Sequence, residues 1–210
     1  MSYRYIALEG PPGAGKTELS TRLAGALDGA VLHEQKNNPF LRDHYAGKGG
    51  ASFQAQIFFL LNRYRQLTGL AQRDLFSQIQ ISDFILAKDK IYAYLSLDDA
   101  ELMLYEKIYR PLTAEVPSPE LVVYLQVPAE VIAKRRRQRS DADAIEEDTL
   151  REIVRAYDYF FFHYSQTPLL VVSSADVDFG DPDCDLTDLI HEIQLMPGGT
   201  RFYVPAKMGK

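Results

Sequence analysis

Apolar residues along the chain fall into short unbroken runs, separated by longer stretches in which they recur every three or four positions. The runs at residues 3–9, 30–33, 79–82, 121–125 and 169–172 each predict a strand. Leu121-Val122-Val123-Tyr124-Leu125 is the clearest, with Pro117 and Pro119 punctuating its entry. A run with no polar face is what a strand covered on both sides requires. The stretches between them predict helices over 16–27, 52–74, 88–94, 98–109, 129–139, 145–163 and 185–193. Leu19, Leu23 and Leu27 repeat at four-residue spacing in the first, and Phe53, Ile57, Leu60, Leu61, Tyr64 and Leu67 form the apolar stripe of the second. Asn37-Asn38-Pro39-Phe40 opens a shorter element with Pro39 in its first turn. This alternation predicts an α/β fold, a five-stranded parallel sheet with helices on both faces. No repeat, low-complexity tract or linker interrupts it, so residues 1–210 read as one domain that ends in a polar tail from about 195 to 210.

The turn after the first strand carries the first chemistry. Gly10-Pro11-Pro12-Gly13-Ala14-Gly15-Lys16-Thr17 fits G-x-x-x-x-G-K-[ST] without departure, between a predicted strand and a predicted helix. The glycines let the backbone N–H groups of Gly10, Gly13, Ala14 and Gly15 converge on phosphate oxygens. The helix that starts at Lys16 adds its positive end. Lys16 is then expected to reach the β- and γ-phosphates of ATP, and the Thr17 hydroxyl to ligate Mg²⁺. The motif makes this a P-loop nucleotide-binding fold and leaves the reaction open.

Charge narrows the partners. The net charge is -6, and the clearest concentration of positive charge is one run, Lys134-Arg135-Arg136-Arg137-Gln138-Arg139, so nucleic acid is not an expected partner. Arg135 and Arg139 lie four apart and share a helix face. Two guanidinium groups on one face can clamp a transferring phosphoryl group, which predicts an arginine-bearing lid over about 134–148. The acidic stretch 141–148 would balance that charge when the lid is open. Cys184 is the one cysteine, so an intrachain disulfide is excluded and a reducing cytoplasm is the expected compartment. No apolar stretch is long enough to span a bilayer, and no membrane partner is expected. His33, His44, His163 and His191 do not cluster at metal-ligand spacing. The aromatic run Tyr157-Asp158-Tyr159-Phe160-Phe161-Phe162 is expected to pack the core or a subunit interface.

Further motifs follow the second strand. His33-Glu34-Gln35 puts a carboxylate just past a strand end, on the edge that carries the P-loop, where a base is well placed. Asn38-Pro39-Phe40 comes next, and Tyr45 lies eleven residues before Gln56. Gln56 and Arg63 are nearly two helical turns apart and point the same way. Ser82-Asp83-Phe84-Ile85 follows the third strand, and Asp89 stands six past Asp83.

Taken in this order, the motifs resemble those of the deoxynucleoside kinases, the group that includes bacterial deoxyadenosine and deoxyguanosine kinases and mammalian deoxycytidine kinase. The resemblance runs from Tyr3 to about Ile193. It implies ATP-dependent phosphorylation of a deoxynucleoside at its 5′-hydroxyl, with Mg²⁺. It implies that Glu34 takes the 5′-hydroxyl proton, that Gln56 is bidentate to the base, and that Tyr45 lies near the sugar 3′-hydroxyl. Arg63 and Asp89 match an arginine–aspartate pair found in relatives that accept deoxycytidine and purine deoxynucleosides. Asn38-Pro39-Phe40 and Phe58-Phe59-Leu60 resemble the bacterial purine enzymes, so a purine deoxynucleoside is the expected acceptor. Asp83 can serve the Mg²⁺ shell, and Arg135 and Arg139 match two lid arginines. Three positions depart: Gln35 replaces a proline, Phe84 an arginine, and Asp141 a third lid arginine. Lys88 is a candidate to supply the charge missing at Phe84. Many relatives pair through helices like the one at 52–74, so a homodimer is expected. A nucleoside monophosphate kinase of the thymidylate type would share the fold but carry an arginine where His33 stands. A non-catalytic switch protein would need a guanine-reading Asn-Lys-x-Asp, which does not occur.

Overall fold

The computed structural model describes residues 3–72, 78–139, 145–179, 181 and 183–205. They belong to two compact units, one spanning 1–33, 78–83 and 119–210, the other 34–77 and 84–118.

The first unit is built on a parallel sheet in which β1 (Tyr5–Glu9), β2 (Ala30–Leu32), β3 (Gln80–Ser82), β4 (Leu121–Gln126), β5 (Leu169–Ser173) and β6 (Thr200–Tyr203) run in the order β2-β3-β1-β4-β5-β6. Ile6 pairs with Ile81 on one side and Leu121 on the other, and Val123 pairs with Leu170. The helices α1 (Lys16–Ala26), α6 (Ala129–Arg139), α7 (Glu147–Phe162) and α8 (Thr187–Gln194) flank it. Every residue of β1 is buried, as are five of the six in β4, which is why these strands lack polar alternation. The core joins Ile6 and Leu8 of β1, Leu19 and Leu23 of α1, Val123 of β4 and Leu189 of α8. The aromatic run in α7 divides: Phe161 stacks on Tyr124 at 4.2 Å, while Tyr159 and Phe162 are exposed.

The sheet has six strands where the sequence predicts five. Thr200–Tyr203 falls in the segment predicted to be a polar tail, yet it pairs with β5 from Leu169↔Thr200 to Val172↔Tyr203. Its residues alternate between exposed and half-buried, the pattern of an edge strand. Gly198 and Gly199, both at positive φ, make the turn into it, and Arg201 is tied to Glu192 of α8 at 2.8 Å.

The second unit is helical: α2 (Leu41–Tyr45), α3 (Ala51–Gln72), α4 (Lys88–Ser96) and α5 (Asp99–Thr113). α3 packs against each of the other three and buries Leu60, Leu67 and Leu70. A capping box starts α5: Asp98 accepts from the Glu101 amide at 2.8 Å, and Glu101 accepts from the Asp98 amide at 3.3 Å.

Candidate active site

The candidate side chains fall into two groups, one in each unit. In the first unit the loop between β1 and α1 has the shape its sequence requires. Gly10 and Gly13 have φ of 157° and 89°, and a Cβ at either would come within 2.8 Å of Leu125 O or Ile132 Cγ2. Only glycine fits there without moving β4 or α6. The buried Glu9 carboxylate accepts from the Gly10 amide at 3.0 Å and fixes the entry to the loop. Lys16 lies back on its own loop, its Nζ donating to Gly10 O at 2.6 Å and Pro11 O at 3.1 Å.

Thr17 Oγ1 donates to Asp83 Oδ2 at 2.7 Å, so the two predicted Mg²⁺ residues meet. A hydroxyl beside a carboxylate is a hard oxygen set, and Mg²⁺ commonly uses one or two such groups together with nucleotide phosphates. These residues therefore fit the ion. No cluster of three or more His, Cys, Asp or Glu side chains that could hold a metal by itself occurs among the described residues. His33 adjoins the pair, with Nδ1 3.3 Å from Asp83 Oδ2 and Nε2 3.3 Å from Thr21 Oγ1.

The arginines of α6 are placed differently from one another. Arg135 is buried and its Nη2 donates to Ser174 O at 2.7 Å and Val177 O at 3.0 Å, so it holds the segment after β5. The stem of Arg136 runs beside Gly13, its Cδ 3.5 Å from where a Cβ would stand. Four-residue spacing selects Arg135 and Arg139 from this run and passes over Arg136. Arg139 closes α6, but its side chain, like Asp141 and the rest of 140–144, lies outside the described residues.

In the second unit five of the sequence's candidates form one network. Glu34 Oε1 accepts from Arg63 Nε at 2.6 Å, and Oε2 accepts from Lys88 Nζ at 2.6 Å. Arg63 Nη1 donates to Asp89 Oδ2, and Gln56 Nε2 donates to both Asp89 Oδ1 and, at 3.0 Å, Asp89 O. Arg63 also lies 5.0 Å over the ring of Phe59. The network exists because α3 places Gln56 and Arg63 on one face, opposite Lys88 and Asp89 in the first turn of α4. Asn38 anchors the entering chain, donating to Ala55 O at 2.9 Å. Lys88, the candidate substitute for the charge missing at Phe84, meets Glu34, and Phe84 is itself fully buried.

Burial alone would push the Glu34 carboxyl up. The adjacent Lys88 and Arg63 charges, and their hydrogen bonds, outweigh it and bring its pKa down to about 2. At Asp89 burial wins and holds the carboxyl above its ordinary range, against Arg63, Gln56 and Tyr105. Tyr105 of α5 is the member that sequence reasoning misses: fully buried, it donates to Asp89 Oδ1 at 3.1 Å. Nothing in the α5 pattern separates it from a packing tyrosine. Tyr45, predicted near the sugar, ends α2 with 77% of its surface exposed and outside this network.

A family model described as deoxynucleoside kinase matches residues 6–196 of the chain. A deoxyguanosine kinase of Bacillus subtilis (strain 168) is 32% identical over 182 residues, covering 84% of this chain and 88% of its own. A deoxyadenosine kinase of Dictyostelium discoideum is 27% identical over 190 residues, covering 85% and 75%. The solved structure of a deoxyadenosine kinase from M. mycoides with bound dATP superposes with a TM-score of 0.70 at 24% identity, covering 90% of this chain and 97% of the other.

Proposed function

The chain belongs to the deoxynucleoside kinase family, and from that premise we propose that it transfers the γ-phosphoryl group of ATP to the 5′-hydroxyl of a purine deoxynucleoside. The observation that carries this reading is the network around Glu34. It sets an ionised carboxylate between two cations and beside a glutamine and an arginine able to hold a base.

Each residue then has a task. The loop amides from Gly10 to Gly15 and the Lys16 ammonium bind the donor phosphates. Thr17 and Asp83 would hold Mg²⁺, which when bound neutralises phosphate charge. Gln56 and Arg63 orient the base, with Asp89 holding both. Tyr45 is assigned to the sugar 3′-hydroxyl on its spacing to Gln56 alone. Glu34 accepts the 5′-hydroxyl proton at Oε1 or Oε2. A carboxyl with a pKa near 2 is a weak base toward a free alcohol. The transition state of phosphoryl transfer is loose, however, so the hydroxyl becomes acidic only as its bond to phosphorus forms. Glu34 therefore need only be ionised and positioned, and Lys88 and Arg63 ensure both. Arg139 is assigned to the transferring phosphoryl group. Arg135 joins it only by leaving the Ser174 and Val177 carbonyls. A cytoplasmic homodimer completes the reading.

The test is a panel of deoxyguanosine, deoxyadenosine, deoxycytidine, thymidine and their monophosphates, each with Mg-ATP and compared by kcat/KM. A purine deoxynucleoside is expected to be the best acceptor. Thymidine as the best would refute the base assignment, and turnover of monophosphates alone would refute the acceptor class.

A further inference from the structure

A ring of hydrogen bonds closes around the two residues assigned to Mg²⁺. Thr17 Oγ1 donates to Asp83 Oδ2 at 2.7 Å, and His33 Nδ1 lies 3.3 Å from the same oxygen. His33 Nε2 lies 3.3 Å from Thr21 Oγ1, which donates to Thr17 O at 3.0 Å. The backbone explains why these four side chains meet. β2 and β3 pair in parallel with Leu32 opposite Ser82, so the next residue of each strand, His33 and Asp83, leaves the sheet side by side. The Asp83 amide continues that ladder, donating to Leu32 O at 3.2 Å. Thr17 and Thr21 are four apart on α1 and share a face. All four residues lie in the first compact unit.

The Asp83 side chain is 2% exposed, while that of His33 is 41% exposed. A ring that open adds little to the core, and a half-exposed ion pair adds little to stability. What its contacts do is hold other groups in place. A carboxylate can only accept, so Nδ1 is the donor toward Asp83 Oδ2, and the Thr21 hydroxyl beside Nε2 keeps the ring from turning away. We propose that His33 is a positioning residue for the metal pair: tied to Thr21 through one nitrogen, it holds the Asp83 carboxylate against the Thr17 hydroxyl, so that both oxygens are in place when ATP brings Mg²⁺. This rests on the deoxynucleoside kinase reading and adds to it a residue that acts through Asp83. Partners that orient a metal-binding group in this way are commonly worth about 10–100-fold in metal affinity.

The experiment is calorimetric titration of the full chain with ATP, once in Mg²⁺ and once in EDTA, with no acceptor present. The wild-type chain is expected to bind ATP more tightly in Mg²⁺ than in EDTA. His33→Ala should weaken binding in Mg²⁺ by roughly tenfold or more and leave binding in EDTA within about twofold, since the loop amides and Lys16 meet the phosphates without the ion. His33→Asn should recover most of the loss, because its Nδ2 stands where the imidazole Nδ1 stood and still donates to Asp83. A general packing defect would weaken both conditions alike, so equal losses in Mg²⁺ and EDTA overturn the proposal. So does an unchanged affinity in Mg²⁺ for His33→Ala, a His33→Asn variant no better than the alanine one, or a wild-type chain that gains nothing from Mg²⁺. A wild-type chain that binds ATP under neither condition would instead remove the functional reading on which this rests.

Discussion

Replacing Glu34 by glutamine tests the proposed chemistry at its centre. The side chain keeps its shape and loses its charge. In the wild-type chain each carboxylate oxygen faces a cation, Arg63 Nε on one side and Lys88 Nζ on the other, both at 2.6 Å. The amide can satisfy only one of them, because its other end is a donor. The carboxyl titrates at about 2 rather than 4.5, and a difference of that size corresponds to about 3 kcal/mol of stabilisation of the charged form. In a chain of this length such a loss lowers Tm by roughly 5–10 °C. A folded-state pKa below the unfolded one means that the contribution is full above about pH 4.5 and drains away as the pH falls toward 2. The Tm gap between wild type and Glu34→Gln should therefore narrow over that interval. For catalysis, removing the proton acceptor should reduce kcat by about 10²–10⁴-fold with little change in acceptor KM. The assay is steady-state kinetics with Mg-ATP and deoxyguanosine, beside thermal unfolding across pH. A loss confined to KM would make Glu34 a binding residue and place the base elsewhere. An unchanged Tm at neutral pH would refute the ion-pair energetics.

Two more outcomes follow from the same geometry. Lys16→Ala should abolish turnover and weaken ATP binding, since a cation at the β/γ-phosphates is worth about several kcal/mol in a closed site; near-normal turnover would sink the phosphoryl-transfer reading. Lys88→Met should let the Glu34 carboxyl climb back toward its ordinary range, moving the acid limb of kcat/KM up by roughly one to two pH units; a pH profile that does not move would deny Lys88 its part.

Much of this was legible in the sequence, for stated physical reasons. β1, β4 and β5 are unbroken apolar runs because both of their faces are covered. The loop at Gly10–Thr17 is legible because the backbone it must adopt admits few residue types. β6 was not legible, since an edge strand with alternating exposure carries no apolar run and its flanking glycines look like a terminus. The second compact unit was not legible either. It consists of two insertions, 34–77 and 84–118, into the strand order of the first. Each begins within a residue or two of a strand end, so no composition shift or linker marks the crossing. In α6, Arg135 and Arg139 share a face on a helical wheel, but the wheel does not say that Arg135 is taken by the Ser174 and Val177 carbonyls.

Phe84 and Lys88 show why a missing motif residue and a missing function differ. One of the three departures from the family puts phenylalanine at an arginine position, and taken position by position it removes a positive charge. In the structure the position is fully buried, where an unpaired guanidinium would be costly. Four residues on, Lys88 is also buried, 4% exposed, and its Nζ meets Glu34 Oε2. In this chain the cation on that oxygen of Glu34 comes from the first turn of α4. A lysine there is a point charge on a flexible stem, unlike the planar fork of an arginine. It neutralises Glu34 as a point charge, through one contact to Oε2.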